Sequence, residues 1–461
     1  MAVFCFGPLP RETARVTITT VKPKYAVADL VRLISGSPFR VQPFCRVFGV
    51  CGGCQVQHLS YPAQLTWKRD VVLNALARIG GFSNVEVRNT IGMIAPRNYR
   101  NKMSLVIEHR SSLPSIGFYK QRSHDVVPID SCPIVMPQLS DYIERLNAGR
   151  LDAQIAGALE PARHVVARAA RATGQAVFTV TTKHASDAVE RGAKVLQERL
   201  PGVVGVTNSY DLNGENAILG RRQHVSTGTD EIEETIAGIR YRVSAASFFQ
   251  VNVEIVGRIF EFMKRGLTAP RAIVDLYCGA GTFALYFAKH GCDVFGVEEN
   301  ASAVAEAVAN AELNGLQERA RFRSGRVEEV LRGPEGRDVL RHAQIAFLDP
   351  PRKGSDEATL GAVAAAGIPN VWYLSCDPAT LARDLKFLTA KGYRFGVVQP
   401  FDMFPQTGHV ETLVTLYNET GAARTTVEDA FEGAPPPAAW PADDRFAHDR
   451  LEYPDFVNRE D

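Results

Sequence analysis

Ala272-Ile273-Val274-Asp275-Leu276-Tyr277-Cys278-Gly279-Ala280-Gly281 carries the pattern that decides the fold. An apolar, β-branched run of strand length ends in a G-x-G turn and passes into a helical segment. The strand, turn, helix unit then recurs. Val294-Phe295-Gly296-Val297 ends on Glu298, and Ile345-Ala346-Phe347-Leu348 ends on Asp349-Pro350-Pro351-Arg352-Lys353-Gly354. Val371-Trp372-Tyr373-Leu374-Ser375 leads to Cys376, after which Asp377-Pro378 opens a helix from Ala379 to Ala390. Strands at Phe395–Val398 and Val410–Tyr417 follow. Such alternation predicts an α/β, doubly wound, Rossmann-like domain over residues 248–420, with ligands at the carboxyl ends of its strands.

The whole chain, at 461 residues, is too long for one ordinary core, so further domains are expected. Its 45% hydrophobic and 22% charged residues are an ordinary soluble balance. No apolar run approaches the ~20 residues of a membrane span, and no signal-peptide core opens the chain, so a cytoplasmic protein with no membrane partner is expected. The net charge of +1 conceals an asymmetry. Residues 1–132 hold 17 Lys and Arg against 7 Asp and Glu, whereas residues 421–461 hold 4 against 10. A basic N-terminal third points to a polyanionic partner such as nucleic acid. The acidic tail, with Pro435-Pro436-Pro437 and little periodicity, reads as disordered or loosely docked.

Residues 1–40 hold β-branched segments, Arg15–Thr19 and Tyr25–Val31, around Lys22-Pro23-Lys24, and read as a fragment of a small β-barrel. Residues 41–247 read as an α+β domain. Helical spacing over Pro62–Ile79 sets Lys68 and Arg69 outward, and short strands alternate with amphipathic segments near 139–147 and 184–199. Within it, Arg97-Asn98-Tyr99-Arg100-Asn101-Lys102 combines cations that grip phosphate with a ring able to stack on a base.

Three cysteines of this domain, Cys45, Cys51 and Cys54, crowd around Gly52-Gly53, and Cys132 stands apart. Two glycines allow a tight loop in which three sulfurs face one centre, and Cys132 would complete a four-thiolate shell. An iron–sulfur cluster and a zinc ion satisfy that spacing equally well. The spacing does not suit a radical-type cluster bound by three cysteines alone.

In the C-terminal domain, Cys376 sits at a strand end near a helix N-terminus, where partial positive charge is expected to lower its pKa and favour thiolate. The glycine turn admits a cofactor close to the backbone, and Glu298 is placed to accept ribose hydroxyls. The third position of the turn is Ala284, without the glycine used for a pyrophosphate, so the residues favour S-adenosylmethionine over a nicotinamide dinucleotide.

Five stretches occur in order: Phe248-Phe249-Gln250-Val251-Asn252, Asp275–Thr282, Asp349–Gly354, Ser375–Pro378 and Asp402-Met403-Phe404-Pro405-Gln406-Thr407-Gly408-His409-Val410-Glu411. Together they resemble the RNA uracil-5-methyltransferase family, whose members modify 23S ribosomal RNA and transfer RNA. The cysteine set resembles the [4Fe-4S] site of the ribosomal members, with Cys45, Cys51, Cys54 and Cys132 as ligands. Residues 1–40 resemble the second half of a TRAM domain, an OB-like RNA-binding barrel. The resemblance implies that Cys376 adds to carbon 6 of uracil, that carbon 5 then attacks the methyl group, and that Glu411 removes the carbon 5 proton. It also implies that Gln250, Tyr277, Glu298 and Asp349 hold S-adenosylmethionine, and that Phe248 or Phe249 stacks beside a flipped base. The expected protein is a monomeric enzyme acting on 23S ribosomal RNA, with transfer RNA as the alternative. A non-catalytic RNA-binding protein is the other alternative, disfavoured by intact Cys376 and Glu411.

Overall fold

The computed structural model describes residues 1–418 apart from 110–113, 150–152, 215–216, 268 and 270, so the acidic segment 421–461 lies outside the described residues. Its C-terminal part is a seven-stranded sheet of β1 (Ala272–Leu276), β2 (Asp293–Glu298), β3 (Ala320–Ser324), β4 (Ile345–Leu348), β5 (Asn370–Ser375), β6 (Tyr393–Phe401) and β7 (Glu411–Asn418). The spatial order is β3-β2-β1-β4-β5-β7-β6. Helices α1 (Thr282–Lys289), α2 (Ala301–Leu313), α3 (Val327–Arg332), α4 (Pro334–His342), α5 (Glu357–Ala365) and α6 (Pro378–Ala390) form the crossovers. Successive side chains alternate between two cores. Ile273, Phe347, Trp372 and Leu374 face one, and Val274, Leu348, Tyr373 and Val414 face the other. Burial on both faces explains the unbroken apolar strands read from the sequence. Each such large side chain contributes about 2–3 kcal/mol.

Strands β1 to β5 are parallel, while β7 lies antiparallel to both β5 and β6. A parallel return needs a crossover of a dozen or more residues, usually a helix. Segment 402–410 between β6 and β7 contains no helix, so the chain turns straight back. The start of β7 therefore lies at the same sheet edge as the carboxyl ends of the parallel strands.

Upstream, a second seven-stranded sheet runs Arg222–Gly228, Val203–Tyr210, Ala176–Thr182, Ala162–Ala169, Lys102–Glu108, Ser115–Tyr119 and Val126–Pro128 across its width. Helices Pro137–Gly149, Ala153–Leu159 and Asp187–Arg199 cover one face through Tyr142, Ile143, Leu159 and Leu196. Residues 1–35 make a three-stranded sheet of Ala2–Cys5, Thr13–Val21 and Tyr25–Ser35.

The helix expected from Pro62 to Ile79 runs from Tyr61 to Ala75 and loosens into a π turn over Leu76–Gly80. Its Val72 and Leu76 join the core that contains Tyr373, Leu381 and Leu385. This packing overturns the outward placement of Lys68. The residue is fully buried, because the face expected to meet solvent lies against the C-terminal sheet and its 402–410 connection.

Candidate active site

The last paired residues of β5 and β7 are Ser375 and Thr412. One step further along the same antiparallel register, Cys376 and Glu411 stand opposite each other. That register sets them side by side on one face from positions remote in sequence, and the Glu411 carboxylate acts on the Cys376 thiol. Cys376 is half-buried, and Glu411 is 6% exposed with no hydrogen-bond partner for Oε2 among the described residues. Burial raises the Glu411 carboxyl to about 8, with Asp349 adding to the rise and Arg352 opposing it. Asp349, at the end of β4, is pushed up to about 7 by desolvation although part of it still reaches solvent.

The expected lowering of the Cys376 pKa is overturned. The thiol is pushed up to about 12, first by burial and then by the Glu411 and Asp349 carboxylates, with Arg352 acting the other way. The helix N-terminus does not offset this, because its free amides are already used. Asp377 caps α6, accepting from Ala379 N at 2.9 Å and Thr380 N at 2.8 Å. A site in which thiol and carboxyl both resist ionisation holds them as a pair of weak acids.

Beside them, the turn after β1 is built for close approach. Tyr277, Gly279 and Gly281 all have positive φ, at 70°, 54° and 83°. A β-carbon on Gly279 would meet nothing within 4 Å, so the space above the turn is open to a ligand. Glu298, at the end of β2, accepts from Gly279 N at 3.2 Å and Asn300 N at 2.8 Å, which fixes its carboxylate over the turn. The Tyr277 hydroxyl lies 2.9 Å from Ser355 Oγ. Gln250 is held through its carbonyl by Asn101 Nδ2 at 3.1 Å. Asp275 beneath the turn is 1% exposed, and its carboxyl is raised well above the ordinary range by burial and then by Asp349. An open glycine turn with an acidic residue at the next strand end fits an adenosyl cofactor without phosphates.

The model for tRNA (uracil-5-)-methyltransferases matches residues 215–419. An uncharacterised RNA methyltransferase of Halalkalibacterium halodurans is 36% identical over 429 residues, covering 90% of this chain and 92% of its own. One of Clostridium acetobutylicum is 34% identical over 428 residues, with the same coverage of each. The chain belongs to the RNA uracil-5-methyltransferase family. The solved tRNA (uracil-54, C5)-methyltransferase of Pyrococcus abyssi, in complex with S-adenosyl-L-homocysteine, superposes with a TM-score of 0.71 at 27% identity, covering 90% of this chain and 95% of its own. The protein is thus an S-adenosylmethionine-dependent enzyme that methylates RNA uracil.

Segment 402–410, which delivers Glu411 to this methyltransferase's site, is tied residue by residue to upstream elements. Lys68 Nζ pairs with Asp402 and donates to Phe404 O at 3.0 Å. Asn252 Nδ2 donates to Met403 O at 3.0 Å, Tyr99 OH to Pro405 O at 3.0 Å, and Gln64 Nε2 to Gln406 Oε1 at 2.9 Å. Tyr99, expected to stack on a base, is fully buried by this role. Phe249 likewise belongs to the core against Tyr241, whereas Phe248 is 76% exposed. The sequence showed Lys68 only as a solvent-facing cation and Asp402 only as the first residue of its stretch, and gave no sign that the two would pair. Arg352 was visible within Asp349–Gly354 but had no partner until the strands met. His409, two residues before Glu411, is pulled down to about 4 by burial and then by Arg352, Lys68 and Arg100, so its ring is neutral.

Cys45, Cys51, Cys54 and Cys132 are half-buried free thiols in the methyltransferase's upstream region. Burial pushes Cys54 up to about 12, and the other three add to the shift, which puts all four sulfurs in one neighbourhood. Among the described residues no three His, Cys, Asp or Glu side chains converge closely enough to hold a metal ion. The cysteine loop also reaches segment 402–410, since Gln55 N and Val56 N both donate to Gln406 O, at 3.0 and 3.1 Å.

No helix among the described residues is long and apolar enough to cross a membrane.

Proposed function

We propose that the methyltransferase modifies carbon 5 of a uridine in 23S ribosomal RNA, with Cys376 as nucleophile and Glu411 as base. The cross-strand placement of these two residues carries the reading. Carbon 5 of uracil is a weak nucleophile until a thiolate adds to carbon 6 and turns the ring into an enolate. S-adenosylmethionine, when bound, supplies the methyl group that carbon 5 takes up. Glu411 then removes the proton from carbon 5, and elimination restores the thiolate and releases 5-methyluridine.

The electrostatics suit that order. While the sulfur is anionic, Glu411 is best protonated, since a second negative charge beside it is unfavourable. Once the sulfur is bonded to carbon 6 its charge is gone, and the ionised carboxylate is free to accept a proton. Arg352 offsets the remaining charge. Glu298 would hold the ribose hydroxyls, Tyr277 and Gln250 would line the cofactor pocket, and Asp349 would separate cofactor from base. Addition of the half-buried Cys376 thiol to carbon 6 would require the uridine to leave its stack. Phe248, the exposed aromatic of the Phe248–Phe249 pair, would stack beside it.

Cys45, Cys51, Cys54 and Cys132 would hold a [4Fe-4S] cluster. Four thiols form the donor set such a cluster requires, and the set resembles the [4Fe-4S] site of the ribosomal members of the family. The cluster would order the 41–247 domain and its contact with Gln406. Residues 1–40 would be a partial TRAM-like barrel, 248–420 the catalytic domain, and 421–461 an acidic tail. All proposed groups come from one chain, which suits a monomer.

The cysteine set favours ribosomal RNA. The second reading, transfer RNA, is favoured by likeness to the Pyrococcus abyssi enzyme. Mapping 5-methyluridine in both RNA pools with and without the gene separates them. Loss confined to 23S ribosomal RNA is expected, and loss confined to transfer RNA would replace the first reading with the second.

A further inference from the structure

Lys102 and Arg168 are directly paired on neighbouring antiparallel strands of the upstream sheet. Like charges opposite each other in a ladder are destabilising. Both lie on the face away from the covering helices, since their strand neighbours Met103, Ala167 and Ala169 belong to the helix-covered core. Arg100 brings a third cation, with its Nε donating to Lys102 O at 3.0 Å. Arg168 is 2% exposed and donates through Nη2 to Ser247 O at 2.6 Å, but its Nε and Nη1 have no acceptor among the described residues. The Lys102 ammonium is pulled down to about 7 by burial and then by Arg168 and Arg100. Glu306 is the carboxylate whose field reaches Arg168, and its Oε1 already accepts from the Ser244 and Ser247 hydroxyls. Arg168 alone has orphaned donors, and Glu306, whose Oε2 has no partner among the described residues, is one carboxylate against three gathered cations, an imbalance that a further anion would relieve.

The location identifies the anion. Ser247, gripped by Arg168, immediately precedes exposed Phe248. On its other side, Asn101, between Arg100 and Lys102, donates from N to Val251 O at 3.0 Å and from Nδ2 to Gln250 O. The cations are thus fastened to both ends of the segment that carries Phe248 and Gln250. Arg100 also lies within electrostatic reach of His409 in the catalytic segment.

We propose that Arg100, Lys102 and Arg168 form a seat for the RNA phosphodiester adjoining the target uridine. The proposal rests on the uridine-methylating reading and adds what anchors the backbone while the base is out of its stack. Lys102 and Arg100 meet the phosphate, and Arg168 adds charge from behind and holds the Phe248 segment in place.

The test uses the full chain carrying Cys376→Ala, so that RNA binds without turnover, and a stem–loop containing the target uridine. Lys102→Met and Arg100→Met should each weaken RNA binding by about tenfold and together flatten the slope of log affinity against log salt by about one. S-adenosylhomocysteine affinity should not change, and the melting temperature of Lys102→Met should hold or rise, because the repulsion from Arg168 is relieved. A neutral methylphosphonate is placed in turn at each phosphate flanking the uridine. At one of them it should cost the Lys102 form its affinity advantage, with no further loss in Lys102→Met. Independent, additive losses at both phosphates, or an unchanged salt slope, would overturn the seat and leave uridine methylation standing. Weakened S-adenosylhomocysteine binding with normal RNA binding would assign the cations to the cofactor carboxylate instead. A parent chain unable to hold RNA at all would sink both readings.

Discussion

Lys68 and Asp402 form an ion pair with no solvent exposure on either side chain, joining a helix near the start of the chain to the segment that delivers Glu411. Burial pulls the lysine ammonium down and the Asp402 carboxylate holds it up, so neither charge is stable there without the other. The pair therefore acts as a positioning device, fixing the 402–410 connection against helix Tyr61–Ala75.

Removing one member should be costly. Lys68→Met leaves Asp402 buried and unpaired, and is expected to lose about 3–5 kcal/mol in denaturant unfolding. The double variant Lys68→Met with Asp402→Leu should recover most of that stability but not the rate, because Phe404 O also loses its donor. Full recovery of the rate would show that the pair positions nothing.

The nucleophile and base should separate by the step at which each variant stalls. RNA containing 5-fluorouridine should form a covalent complex with the wild type and none with Cys376→Ser. A complex that survives Cys376→Ser would remove Cys376 from its role. Glu411→Gln should slow turnover by roughly 10²–10⁴-fold and accumulate adduct on ordinary uridine RNA, visible as a shifted band on denaturing gels.

The pH dependence follows from the raised Glu411 carboxyl. Below about 8 it is protonated and cannot accept the carbon 5 proton, so single-turnover product release should rise with pH and level off above that value. Stability should move the opposite way. The folded chain holds this proton more tightly than the unfolded chain, whose carboxyl titrates near 4.5, so that contribution is full below 4.5 and lost as pH rises to about 8. Melts of Glu411→Gln should match wild type near pH 5 and exceed it above pH 8. A gap that does not change with pH would contradict the buried placement.

The cofactor contact is tested by Glu298→Ala. Losing charged hydrogen bonds to ribose hydroxyls should weaken S-adenosylhomocysteine by about 10–100-fold in calorimetry. RNA affinity should stay the same, and equal losses for both ligands would indicate collapse of the turn held by Gly279 and Asn300.

Anaerobically purified protein should contain iron and acid-labile sulfide in equal amounts, lost together in Cys51→Ser. That variant should melt earlier in the upstream domain while retaining S-adenosylhomocysteine binding. Zinc without sulfide would replace the cluster assignment.

The strands, the glycine turn and the ends at Glu298, Asp349 and Cys376 were legible because the C-terminal sheet is buried on both faces, and such strands announce themselves as apolar runs ending in polar residues. The cysteine spacing anticipated four thiols within electrostatic reach of one another, although no three of them converge closely enough among the described residues to hold a metal ion. Charge states were not. Cys376 beside a helix start promised an acidic thiol, but the capping Asp377 and the facing Glu411 reversed it, and both effects depend on where side chains point. Lys68 looked like a solvent-facing cation because helical spacing shows which residues share a face, not what another part of the chain will lay against it. Nothing local links Cys376 to Glu411 either. They meet because the short 402–410 connection forces β7 to enter the sheet antiparallel, and strand pairing brings residues together by register rather than by distance along the chain.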